Sequence, residues 1–321
     1  MIVRKTPAEV EVMAKAGRVV ARLHEVLREA VAPGVTTADL DRISARELRN
    51  MGATPSFKGY RGFPATLCTS VNNEIVHGIP SKKVTLRAGD LIKIDAGAII
   101  DGYHGDSAVT WIVGGEDAAP DEVKSLVTRT RAALWAGLMQ AKPGNRLGDI
   151  SAAVEAHAMP HGYGVVREYV GHGIGRALHE DPHVPNYGRA GRGPRLVEGL
   201  VLAVEPMFNL GTHKTEVQRD GWTVTTADGA VSAHWEHTVA ITADGPRVLT
   251  ARSDEPEWPL LAPERVPTAP GEDERQRAGG RGSQGEGERQ RAGGRGSQGE
   301  GERQRAGGRG SAVQPIDAGG R

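Results

Sequence analysis

Apolar positions near the start of the chain recur at helical spacing. Val10, Met13, Val20, Leu23 and Leu27 fall on one face, the pattern of a helix with one side buried. Thr6-Pro7-Ala8-Glu9 supplies the start signal: a hydroxyl N-cap, proline at the first helical position, and a Glu placed to close a capping box. Pro33-Gly34 stops the run. The same reasoning predicts helices over 37–52, 120–141 and 147–159. Strand-like runs lie between and after them, at 65–70, 91–100, 103–113, 165–170, 200–208, 221–227 and 233–241. Several are joined by tight turns. The pattern therefore predicts a mixed α/β or α+β domain with hairpins rather than a pure βαβ wind.

Composition changes near residue 252. Pro256, Pro259, Pro263, Pro267 and Pro270 punctuate a linker, and ERQRAGGRGSQGEG then runs from Glu274, repeats from Glu288 and restarts at Glu302. Beyond alanine, the only aliphatic residues in 272–321 are Val313 and Ile316. Such a segment buries too little apolar area to offset the entropy of ordering it. The expected organisation is a folded part, 1–251, followed by a Pro-rich linker and disordered Arg/Gly-rich tail, 252–321. A solvated repeat expansion is the favoured reading of that tail over an RNA-binding arm.

Lys and Arg total 40 and Asp and Glu total 40. That balance removes any whole-chain case for nucleic acid or an anionic membrane. The single cysteine, Cys68, excludes an intramolecular disulfide and suits a reducing compartment. No secretory signal and no apolar run of the length a membrane span needs is visible. The expectation is a soluble, cytoplasmic protein.

The informative residues are carboxylates inside apolar runs. In LIKIDAGAIIDGYHGDSAVTWIV, Asp101-Gly102 is a strong hairpin signal. With those two as the loop, Ile100 opposes Tyr103, Asp95 opposes Ala108 and Asp106 opposes Gly97. Alternation then puts Asp95 and Asp106 on one face as diagonal neighbours, roughly 7–8 Å apart. Two like charges on an otherwise apolar hairpin repel, and a cation between them is the economical explanation. LVLAVEPMF carries Glu205 and AHWEHTVAI carries Glu236, each an expensive charge to bury alone. Asp228-Gly229 marks a further expected hairpin turn before Glu236. His172 sits in GHGIG, among Gly171, Gly173 and Gly175. Those glycines are expected to let His172 reach something the backbone would otherwise obstruct.

Together the four carboxylates and one imidazole form a mixed oxygen and nitrogen donor set. Four negative charges balance two divalent cations, and a two-ion site suits metal-dependent hydrolysis. His77 and His179 are candidates for proton donors beside that site. Alternation sends His237 to the face opposite Glu236, and His234 is read as structural.

These stretches, CTSVNNEIVHGIP, IDAGAIIDGYHGDS, YVGHGIGRALHEDP, VEPM and WEHT, closely resemble the type I methionine aminopeptidases of the pita-bread fold. The resemblance runs from about residue 4 to 250. It implies an α+β domain of two pseudo-symmetric halves, with a curved, mostly antiparallel sheet covered by helices. It implies that Asp95 chelates one metal, that Asp106 and Glu236 bridge both, and that His172 and Glu205 bind the other. A bridging water or hydroxide then attacks the carbonyl after an N-terminal Met followed by a small residue. Glu205 carries the proton, His179 faces the scissile carbonyl, and His77 faces the amide nitrogen. Tyr60, Cys68 and Trp222 match positions lining the methionine pocket. Phe63 stands where Tyr is common and Leu178 where Phe is common, which keeps the pocket apolar but alters its shape. The ions implied are Mn, Fe, Co or Zn. The resemblance further implies nascent chains as partners, transient ribosome contact, no specific nucleic acid and a monomer. The interval from Glu205 to Glu236 is too short for the helical insertion of the type II form. A prolidase of the same fold, or a non-catalytic binding module, are the rival readings.

Overall fold

The computed structural model of the chain describes residues 1–255; the expected repeat tail lies outside the described residues. Four α-helices form where the periodicity predicts them: α1 Pro7–Ala30, α2 Thr37–Asn50, α3 Asp121–Gln140 and α4 Leu147–Ala158. The α1 capping box closes as read from sequence. Thr6 N donates to Glu9 Oε2 at 2.8 Å and Glu9 N to Thr6 Oγ1 at 3.3 Å. These bonds satisfy amides that a helix start leaves without partners.

Every strand pair is antiparallel. Leu91–Ile100 pairs with Tyr103–Ile112 in the expected register, with Asp95 opposite Ala108 and Gly97 opposite Asp106. Cys68–Val71 lies on the other edge of Leu91–Ile100. In a second sheet, Gly245–Val248, His237–Thr242, Val201–Val204, Gly171–Gly173 and Glu180–Val184 run side by side. One apolar core joins helices and sheets, from Leu23 and Leu27 of α1 through Ile92 and Ile94 to Leu134 and Leu138 of α3.

The two halves repeat one another. In both, a Pro-Gly turn links two helices, with Gly34 and Gly144 each at φ 91°. Thr36 bridges to Thr85 as Arg146 bridges to Arg195. Gly34 N donates to Leu86 O and Gly144 N to Leu196 O. One interval relates Gly34 to Gly144, Thr36 to Arg146, Leu86 to Leu196 and Asp95 to Glu205.

Several strand expectations need correction. Residues 200–208 are not one strand: Val201–Val204 stops and Met207–Asn209 begins in another sheet. Pro206 has no amide hydrogen for a ladder. Residues 233–241 likewise split into Ser232–His234 and His237–Thr242. The two breaks face each other, because Val201–Val204 pairs with His237–Thr242 and Met207–Asn209 with Ser232–His234. Glu205 and Glu236 sit in those breaks, where neither side chain is committed to a pleated face. Of residues 165–170 only Val165 is in a strand, Gly164–Val165. Asp228-Gly229 is a turn, with Gly229 N donating to Thr226 O, but not a hairpin. The flanking strands Val224–Thr226 and Ser232–His234 belong to different sheets.

Candidate metal centre

Asp106, His172 and Glu236, all buried, offer donor atoms within 4.8 Å of one another. Glu205 Oε1 lies 3.7 Å from His172 Nε2. Asp95 projects from the facing hairpin strand beside Asp106. All five residues read as ligands from sequence therefore meet at one place, drawn from both halves of the chain.

Their electrostatics are those of a cation site. Asp95 Oδ1, Asp106 Oδ1 and Glu236 Oε1 are buried with no hydrogen-bond partner in the structure. Burial pushes all four carboxyls above their ordinary range, and mutual repulsion adds to it for Asp106, Glu205 and Glu236. Leaving such oxygens ionised and unpaired costs several kcal/mol each. A divalent cation removes that cost, and among the described residues no Lys or Arg is seen paired with them. The imidazole is prepared for the same role. His172 Nδ1 bonds to Gly173 O at 2.9 Å, which places the proton on Nδ1 and leaves the Nε2 lone pair facing the carboxylates. Burial holds this imidazole down to about 4, so it is a free base at neutral pH.

Two of the glycines around His172 answer to their protein neighbours. A Cβ on Gly171 would lie 2.3 Å from Ala203 O, and one on Gly173 would lie 2.2 Å from Asp181 O. Close approach of neighbouring strand backbones demands glycine there. Gly173→Ala is expected to push the His172 strand off its neighbour. Overpacking of this kind costs about 1–3 kcal/mol. The thermal midpoint should fall, and the metal affinity of the stripped protein should fall with it. Wild-type metal affinity in that variant would contradict the close-packing account.

An apolar cluster adjoins the carboxylates. Phe63, Cys68 and Leu178 are buried in one cluster, with Tyr60 and Trp222 packed against it. Phe63 and Trp222 meet edge to face at 5.1 Å, and Cys68 lies directly across the strand pair from Asp95. His77, at φ 60°, packs edge to face on Tyr169 and Trp222. His179 stands beside the carboxylates, its ring 4.2 Å from that of His172. Tyr60 Oη bonds to His179 Nδ1 at 2.7 Å, which directs Nε2 outward. Loss of hydration, then the neighbouring His172 and His77, keep His179 uncharged at neutral pH.

Two residues here were not singled out by sequence. His234 Nε2 approaches Glu205 Oε2 at 3.9 Å. Its position two before Glu236 carried the signal, since alternation would set both on one face. Thr238 Oγ1 accepts from Asp106 N at 3.1 Å and donates to Asp106 O at 2.8 Å, clamping the backbone of a candidate ligand. No sequence pattern marks that pairing. His237 faces away from Glu236, as alternation predicts, and bonds Thr250 and Glu255.

An antiparallel α+β frame holding buried carboxylates and an imidazole beside an apolar cluster is the arrangement of a metal-dependent hydrolase. Residues 11–243 match the metallopeptidase family M24, and the chain belongs to that family. It is 50% identical over 250 residues to a methionine aminopeptidase of Clostridium acetobutylicum and to methionine aminopeptidase 1 of Bacillus subtilis. Each match covers 78% of this chain and 99% of the relative. A methionine aminopeptidase of Thermotoga maritima is similar in structure, with a TM-score of 0.76 and 43% identity, over 78% of this chain and all of that one. A prolidase of Pyrococcus furiosus, 23% identical with a TM-score of 0.62, shares the fold.

Proposed function

We propose that the chain is a type I methionine aminopeptidase, removing N-terminal Met from nascent proteins and peptides whose second residue is small. The observation that carries this reading is the set of orphaned buried carboxylate oxygens around His172, beside an apolar cluster that contains Cys68. Relatives matched over nearly their whole length support it.

Two divalent ions, Mn, Fe, Co or Zn, would balance the four carboxylates. Asp95 would hold one and His172 and Glu205 the other, with Asp106 and Glu236 available to both. When bound, such ions lower the pKa of water and stabilise charge on a carbonyl oxygen. The protein's own residues do the rest. Tyr60, Phe63, Cys68, Leu178 and Trp222 enclose the thioether side chain, for which a polarisable sulfur is a favourable neighbour. His179, with Nδ1 occupied by Tyr60, presents Nε2–H to the scissile carbonyl oxygen as negative charge develops there. His77 meets the amide nitrogen. Glu205, a carboxyl raised by burial, carries the proton to the leaving amine. The catalytic unit of residues 1–251 extends through the packed turn Arg252–Glu255, and the linker and tail follow it. The protein acts as a monomer in the cytoplasm, in transient contact with ribosomes. No helix among the described residues is long and apolar enough to cross a membrane.

Hydrolysis of Met-Ala-Ser set against Ala-Pro-Ala tests the assignment. Met release that stops on exhaustive chelation and returns with added metal is expected. Cleavage of Ala-Pro-Ala alone, or full Met release after chelation, refutes it.

A further inference from the structure

The last described residues are packed into the domain rather than trailing from it. The side chains of Arg252 and Glu255 are 4% and 1% exposed. Glu255 Oε1 pairs with the Arg252 guanidinium and accepts from His237 Nε2 at 3.0 Å. Its other oxygen accepts from Arg252 N at 2.9 Å. Arg131 of α3 approaches the same carboxylate at 3.6 Å. Both Arg131 and Arg252 lie over the Trp235 ring, at 5.1 and 5.6 Å. On the outer side, Ser253 donates to Glu25, and Asp254 pairs with Arg28, both on α1.

Two routes lead from this turn to candidate metal ligands. Arg252 reaches Ser107 Oγ at 3.5 Å, and Ser107 Oγ donates to Glu236 O at 2.7 Å. Ser107 follows Asp106 in the chain. The second route starts at His237, which follows Glu236. Its Nδ1 meets Thr250 Oγ1 at 2.8 Å, Thr250 Oγ1 accepts from Thr238 N at 3.1 Å, and Thr238 Oγ1 clamps Asp106 N and O. Every bond in this second route has an assignable donor. His237 Nε2–H points to Glu255, and the Thr250 hydroxyl donates to Nδ1. The turn thus touches the residue after each of the two carboxylates read as shared between the ions.

We propose that the Arg252–Glu255 turn is a clasp that positions Asp106 and Glu236 from behind, so that metal affinity depends on residues beyond the family-matched segment, 11–243. The inference rests on the metal-site reading above. Burial alone would raise the Glu255 carboxyl, but His237 and Arg252 outweigh it and hold it at about 2. The clasp therefore carries a full buried charge pair, which is strongly destabilising to halve but tolerable when intact. Groups behind metal ligands typically tune affinity by about 10–100-fold.

The test uses the full chain. Glu255→Gln keeps side-chain size and removes the charge that balances Arg252. Mn(II) dissociation constants are measured on metal-stripped protein by titration calorimetry, beside circular dichroism melts. The dissociation constant should rise about tenfold or more, with the metal needed for half-maximal Met-Ala-Ser hydrolysis rising in step and KM at saturating metal within about twofold of wild type. Ser107→Ala severs only the first route and adds no buried charge. It should weaken Mn(II) binding by a smaller factor with an unchanged melt, and it decides the matter should Glu255→Gln not fold. Unchanged Mn(II) affinity in both folded variants, or in Ser107→Ala alone where the other does not fold, overturns the clasp, whatever happens to the melting temperature. A wild-type chain that binds no Mn(II) overturns the site reading itself, and the clasp with it.

Discussion

Asp106→Asn is expected to abolish turnover and leave the fold intact. Asn matches Asp in size but offers one oxygen and no charge. The backbone at this position is held independently, by Thr238 Oγ1 on both its amide and its carbonyl, so the strand should not move. What is lost is a buried donor that faces Glu236 and His172. Groups one layer behind a metal ligand typically cost about 10–100-fold, so a directly shared ligand should cost at least about a thousandfold in kcat. The metal-free variant should melt no lower than wild type, because one member of a repelling cluster has become neutral. Met-Ala-Ser hydrolysis within about tenfold of wild type by a pure sample of this variant would remove Asp106 from the proposed site.

Metal affinity should fall steeply as pH drops from 8 to 6. The sign follows from the carboxyls. Burial, and for most of them the neighbouring charges, raise their affinity for protons in the metal-free fold, with Asp95 at about 7 and Glu205 at about 8. A group whose folded pKa is raised retains its proton at neutral pH, and an incoming cation must displace it. Each displaced proton lowers apparent affinity by about tenfold per pH unit below that pKa. Displacing the Glu205 proton alone should weaken binding about 50-fold over the two units. His172 does not contribute, since it is already a free base down to about 4. Titration calorimetry in buffers of different ionisation enthalpy reads the released protons directly. Affinity that is flat between pH 6 and 8, with no proton release, would mean that the carboxyls are not the ligands.

Much of this was legible in sequence because the signals are local. The Asp101-Gly102 turn determines the pairing of Leu91–Ile100 with Tyr103–Ile112, so the shared face of Asp95 and Asp106 follows by counting residues. Helix ends were marked by Thr6, Pro33-Gly34 and Pro120. Where legibility failed, the cause was non-local. The breaks at Glu205 and Glu236 depend on two strands changing sheets together, and only Pro206 hints at it. The glycines beside His172 answer to Ala203 and Asp181, which no local pattern connects to them. His234 sits where alternation would have placed it, yet its approach to Glu205 depends on both breaks. The ion pair of Arg252 with Glu255 looks, in sequence, like the start of a polar linker. Only its burial against His237 and Trp235 distinguishes it from one.

The repeated interval between the halves has a consequence for direction. Asp95 and Glu205 occupy equivalent places, and so do Lys93 and Ala203, yet Ser70 stands across from Lys93 whereas His172 stands across from Ala203. Two identical subunits meeting at an axis must present the same groups from both sides. Joining two such copies in one chain lifts that obligation, and here it has been used: one side offers oxygen donors only, the other oxygen donors and imidazole. A mirror-like cleft would accept a peptide equally well in either sense. A lopsided one tells the amino end from the carbonyl, as an enzyme that trims chains only from their beginning must do.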